Sequence, residues 1–92
     1  MDNELYRQKY IKNMTDNLPM LRTRLGMTQE ELADKIGVSR STVISIENKK
    51  RDMTWNTFLS LMLLFTKNEA TNILLYVLDI YTEEFNEFIK DR

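Results

Sequence analysis

Two helix starts follow one another in the stretch "TQEELADKIGVSRSTVISIEN", residues 28–48, with a single glycine between them. Thr28 and Glu31 have the T-x-x-E spacing of a capping box, in which side chain and backbone satisfy each other's orphan N–H groups. Leu32 and Ile36 then point inward, and Ala33 is small enough to let a second helix approach closely. Gly37 ends this helix, because glycine adopts the left-handed conformation without steric cost. Ser39 caps a third helix running to about Asn48. A chain built around two short helices in tandem is an all-α chain.

The remainder agrees. Two glycines and one proline in 92 residues leave few places to break a helix, against a many-turned β fold. A first helix is expected from about Asp16 to Leu25, with Leu18, Leu21 and Leu25 buried, Pro19 in its first turn and Gly26 at its end. A fourth runs from about Trp55 to Phe65 behind the cap Thr54, with Trp55, Phe58, Leu59, Met62 and Phe65 at helical spacing; Trp55 is expected in the core. A fifth spans about Glu69 to Tyr81, and "TEEFNEFIKDR" continues it or begins a short sixth. Residues 2–14, with Tyr6, Tyr10 and Met14 at helical spacing, form a helix or an ordered arm. The organisation expected is residues 1–14 as arm or helix, 15–66 as the main domain and 67–92 as a helical extension.

Composition removes several classes of function. Without cysteine there is neither a disulfide framework nor a thiolate metal site. With no histidine, and no carboxylates in an acid/base or metal-ligand pattern, catalysis, metal and cofactor are all rejected; Glu83, Glu84 and Glu87 read as a solvated face. The N-terminus lacks a signal-peptide core, and "LMLLF" and "ILLYVL" are too short to span a bilayer, so a cytoplasmic protein without membrane association is expected. The net charge is only −1, but residues 1–51 hold ten Lys/Arg against seven Asp/Glu, whereas residues 52–92 hold three against seven. Such asymmetry suits one face that meets phosphate and another that avoids it.

The third helix has an unusual outer face. At 3.6 residues per turn, Val43 and Ile46 share the core side, while Ser41, Ser45 and Asn48 lie opposite. Arg40 and Ile44 flank that outer face on one side and Thr42 on the other. An ordinary solvated helix carries Glu and Lys pairs there. Short hydroxyls, one arginine and one aliphatic side chain instead suit base edges: arginine pairs with guanine, hydroxyls donate or accept, and an aliphatic group meets the thymine methyl. Arg40, Ser41, Ile44 and Ser45 are therefore the candidate base contacts. Asn48, Lys49, Lys50 and Arg51 cluster where the helix exits and suit phosphate, as do Gln29 and the N–H groups near Thr28.

These residues carry a resemblance. T-Q-x-x-L-A at 28–33, G-V-S-x-S at 37–41 and I-E-N at 46–48, in that order, resemble the phage repressor/Cro-type (lambda repressor-like) helix-turn-helix family, over about Leu18 to Phe65. The resemblance implies a compact bundle of about five helices whose third helix enters the major groove. It implies that Arg40, Ser41 and Ser45 read bases, and that Gln29, Thr42, Asn48 and Lys50 meet the backbone. Three positions depart from the family pattern. Lys49 stands where glycine is usual, so the loop must accept a left-handed lysine or change shape. Met53 replaces a frequent proline, which loosens entry to the fourth helix, and Ser45 is shorter than the side chain common there.

The C-terminal third adds an apolar surplus. Leu61, Leu63 and Leu64 extend beyond the core stripe of the fourth helix, and Ile73, Leu74, Leu75, Tyr76, Val77, Leu78, Ile80 and Tyr81 go nearly all round the fifth. Phe85, Phe88 and Ile89 continue one stripe. Either the N-terminal segment folds back over this surface or a second chain covers it. The expectation is a homodimeric regulator, in the sense of a repressor, on a pseudo-palindromic operator in double-stranded DNA. Two alternatives stand beside it: an antitoxin-like regulator holding a toxin through its C-terminal half, and a protein-interaction module of the same fold without DNA binding.

Overall fold

The computed structural model describes residues 3–90. Six helices and no strand are present among them: α1 (Asn3–Arg24), α2 (Gln29–Ile36), α3 (Arg40–Glu47), α4 (Trp55–Thr66), α5 (Asn72–Val77) and α6 (Glu83–Lys90). The all-α fold expected from the scarcity of breakers is the fold observed, with one helix more than the five or so anticipated.

α1 is the spine. Its 22 residues at 1.5 Å each span about 33 Å, close to the longest extent of the molecule, 35 Å. Tyr6, Tyr10, Ile11, Met14, Leu18 and Leu21 form one buried stripe along it. The segment 2–14 and the helix expected from Asp16 are thus a single element over the described residues, uninterrupted at position 14. Pro19 lies deep in this helix rather than in a first turn. It cannot donate to the Thr15 carbonyl, a defect that costs roughly 3 kcal/mol in an isolated helix. Its ring sits on the exposed side, and buried residues on both flanks keep the helix continuous through the defect. Thr15 and Thr23 donate their hydroxyls to Ile11 and Pro19 carbonyls one turn back.

α1 packs on both α3 and α4: Arg22 in its C-terminal half pairs with Glu47 at the end of α3, and Tyr10 in its N-terminal half meets Phe58 of α4 with ring centroids 6.4 Å apart. The N-terminal half lies against α6: Tyr6 stacks on Phe88 with ring centroids 4.5 Å apart, and Tyr10 meets Phe85 at 5.4 Å. Lys9 pairs with Glu84 across the same seam, and the Tyr10 hydroxyl reaches Thr82 at 2.6 Å and Glu84 at 3.2 Å. The N-terminal segment therefore does cover part of the apolar C-terminal surface. Trp55 stacks on Phe58 at 4.7 Å and meets Phe85 and Phe88 edge-on, half-buried at the rim of the core.

Four details depart from the sequence reading. Leu61 is fully buried, part of the core stripe of α4 rather than surplus to it. Met53 is buried as well, and Thr54 accepts from the Thr57 N–H, so the entry to α4 is pinned rather than loosened. The fifth helix is only Asn72–Val77. It begins after Thr71 rather than near Glu69, and the buried Thr71 hydroxyl donates to the Phe65 carbonyl at 2.7 Å, which leaves α5 without a side-chain cap. Its proposed end is lost because Asp79 turns left-handed (φ 57°), with the Ile80 N–H bonded to the Leu75 carbonyl. That turn buries Ile80 completely and delivers Thr82 to cap α6 through the Phe85 N–H.

Candidate nucleic-acid interface

α2 and α3 are short because their ends are specified. The capping box at Thr28 is complete, with Glu31 N–H donating to the Thr28 hydroxyl and Thr28 N–H to the Glu31 carboxylate. Gly37, at φ 80°, closes α2 with its own N–H and that of Val38 on the Ala33 carbonyl. Ser39 caps α3 by accepting from the Thr42 N–H at 3.1 Å. Buried Leu32 and Ala33 face buried Val43 and Ile46, so the rotation of α3 about its axis is fixed by the core.

That rotation leaves Arg40 and Ser41 exposed and Ile44 and Ser45 half-exposed. At the N-terminal end of α3 a chain of hydroxyls forms: Ser39 to Ser41 at 3.2 Å and Ser39 to Thr42 at 2.8 Å. Arg51 joins it by donating from Nη1 to the Thr42 hydroxyl at 2.8 Å. Sequence order places Arg51 with Lys49 and Lys50 beyond the far end of the helix. In space its guanidinium is beside the first turn, next to Thr42.

Asn48, Lys49 and Lys50 remain at the C-terminal exit, all exposed. Lys49 adopts φ 61°, the left-handed conformation required of the residue that usually is glycine here. The Lys49 N–H bonds to the Ile46 carbonyl and the Lys50 N–H to the Ser45 carbonyl. A left-handed residue other than glycine costs roughly 1 kcal/mol, and a side-chain tether accompanies it: Lys49 Nζ lies 2.8 Å from Asp16 Oδ1, whose Oδ2 holds Lys12 at 2.8 Å. Hydrogen bonds from these two ammonium groups hold the Asp16 carboxyl down at about 2, against an ordinary value near 3.8.

Gln29 has one of its two amide donors engaged. Its Nε2 bonds to Glu47 Oε1 at 3.0 Å, and Glu47 is gripped from the other side by Arg22, whose Nε and Nη2 reach the two carboxylate oxygens at 2.8 and 3.1 Å. The Glu47 side chain is 5% exposed and that of Arg22 18%. Arg22 also donates to the Met27 carbonyl, so one guanidinium joins α1, the turn before α2 and the end of α3. Sequence reasoning passed over Glu47, Arg22 and Asp16. The available signal was Glu47 itself, an acid directly after buried Ile46, which must leave the core side or find a cation.

Two helices of eight residues each, joined across a left-handed Gly37 and fixed by a shared core, are the part matched by the helix-turn-helix family model, which covers residues 20–54. Over this segment, less than half of the chain, the protein is similar to the helix-turn-helix family. An uncharacterized HTH-type transcriptional regulator of Methanocaldococcus jannaschii is 49% identical over 39 residues, 42% of this chain and 59% of that protein. A second, from Methanothermobacter thermautotrophicus, is 58% identical over 26 residues, 28% of this chain and 38% of that protein. The matched regions thus cover less than two thirds of either curated relative. No solved structure matches the chain. No helix among the described residues is long and apolar enough to cross a membrane.

Proposed function

We propose that this chain is a DNA-binding transcription regulator, a repressor, that places α3 in the major groove of a pseudo-palindromic operator as a homodimer. The observation that carries this reading is the outer face of α3. The core fixes it outward, and it offers Arg40, Ser41, Ile44 and Ser45 where a solvated helix offers Glu–Lys pairs. Residues 15–66 hold the DNA-binding unit and residues 67–92 the assembly element. Arg40, Ser41, Ile44 and Ser45 meet base edges, while Gln29, Thr42, Asn48, Lys49, Lys50 and Arg51 meet the backbone. The names of the two archaeal relatives, both HTH-type transcriptional regulators, agree with this reading.

Self-association is favoured by α5, where Ile73, Tyr76 and Val77 are 69%, 62% and 70% exposed. Three large apolar side chains open to water on one six-residue helix are a contact surface. An antitoxin-like role would use the same surface for another protein and is recognised by a stable complex with that protein at one copy each.

Selection from a random duplex pool at physiological salt tests the function. An inverted repeat should emerge with half-sites about one helical turn apart. Arg40→Ala should relax preference at one position per half-site and cost about 1–3 kcal/mol there. Folded protein that enriches nothing, or an Arg40→Ala variant with unchanged sequence preference, would defeat the assignment.

A further inference from the structure

The cleft between α1 and the loop that leaves α3 holds more charge than the backbone-contact reading uses. Lys12 and Asp16 line it from α1, and Lys49, Arg51 and Asp52 from the loop. Within it the Asp16 carboxylate bridges two ammonium groups at 2.8 Å each, one of them on Lys49. Lys49 sits one residue beyond the cap of α3, among the cations that the proposed function brings to phosphate.

From this geometry, and resting on the DNA-binding reading, we infer that Asp16 is a specificity-determining residue: it occupies Lys49 in the free protein and withholds that cation from non-specific backbone binding. A lysine already paired with a carboxylate gains less from a phosphate, because a protein–protein ion pair must be broken first and fewer counterions are released overall. A loosely bound, sliding protein leaves Lys49 with Asp16. A fully seated α3 presses its exit loop against the backbone, and there phosphate competes with the carboxylate at contact distance. Asp16 therefore lowers random-sequence affinity more than operator affinity, and widens the ratio between them. The tether also orients the left-handed turn, since it fixes the side chain of the residue at φ 61°.

The test is a double-mutant cycle with Asp16→Asn and Lys49→Gln, measured on a random-sequence duplex and on the selected operator over a range of salt. Asp16 is on the surface and asparagine is nearly isosteric, so the variant keeps the fold, which thermal unfolding checks. Asp16→Asn should tighten random-duplex binding on the order of 5-fold at low salt, with a log–log salt slope steeper by about 1, and tighten the operator less. In the Lys49→Gln background the same substitution should change little. Equal tightening in that background would mean that Asp16 acts through Lys12, its other partner, or through its long-range field, and would overturn the inference. Weaker binding by Asp16→Asn would overturn it also, by showing that Asp16 presents Lys49 to DNA. A folded wild-type protein with no salt-dependent affinity for any duplex would instead remove the DNA-binding reading, and this role with it.

Discussion

The helix-turn-helix and the C-terminal pair α5–α6 are similar in size and are built in opposite ways. Each helix of the first is bounded by a specified cap: Thr28 and Gly37 for α2, Ser39 and the Lys49 turn for α3. Its buried charge is matched, with Arg22, Glu47 and Gln29 satisfying one another. In the second, α5 has no side-chain cap at its start and turns at Asp79, a left-handed residue that is not glycine. α6 is held by aromatic packing of Phe85 against Tyr10 of α1 and Phe58 of α4, and α5 leaves Ile73, Tyr76 and Val77 in water. A reading head must present its outer face in one orientation, which hydrogen bonds and caps enforce. A surface for association needs apolar area more than it needs orientation.

The comparison breaks most visibly on α5. Ile73→Asp with Val77→Asp should leave the monomer folded, because both side chains are exposed, and should abolish dimerisation. Losing simultaneous engagement of two half-sites then weakens operator binding about 100-fold or more. Sedimentation together with a binding isotherm checks both halves, and an intact dimer would show that α5 is not the interface. Next in size is Glu47→Ala, which strands a largely buried guanidinium and frees Gln29. A loss of about 3–5 kcal/mol in denaturant unfolding is expected, far above that of an exposed pair such as Lys12–Asp16.

The smallest effect has a sign that sharpens the contrast. Tyr10 and Tyr6 both bury their rings between α1 and α6, but the Tyr10 hydroxyl reaches Thr82 and Glu84, while that of Tyr6 is buried without a hydrogen-bond partner. Burial, with the Tyr10 hydroxyl and the Glu84 carboxylate nearby, raises the Tyr6 phenol above its ordinary value, although no contact meets hydrogen-bond geometry. Tyr10→Phe should destabilise by about 1–2 kcal/mol, and Tyr6→Phe should be neutral or stabilise by up to about 1 kcal/mol. Unfolding curves of the two variants measured side by side check the signs, and equal losses would place an unseen partner on Tyr6.

What was legible in the sequence was local. The caps of α2, α3 and α4 and the left-handed Gly37 follow from residues within four positions of one another. The unbroken α1 did not show, because local rules give Pro19 a first turn, while six buried side chains distributed along the helix decide otherwise. The short α5 did not show either: Thr71 is a good cap by type, but its hydroxyl is drawn to the Phe65 carbonyl by the way α4 ends. For the interface, the outward placement of Arg40 and Ser41 was readable from the helical period. The return of Arg51 to Thr42 was not, since it depends on the path of a loop. Nor was the tie from Lys49 to Asp16, which crosses 33 positions of sequence.

The unbroken spine has a geometric consequence. α1 touches α3 near one end and α6 near the other, and it runs as one helix between them with Pro19 inside it. A single helix therefore links the α3 side of the molecule to the α6 side, and their relative bearing is set by residue count: one residue inserted near Thr15 would turn one end against the other by about 100° and lengthen the span by about 1.5 Å. In the proposed dimer, which joins through the C-terminal region, the pitch of this one helix would set how α3 faces relative to α6.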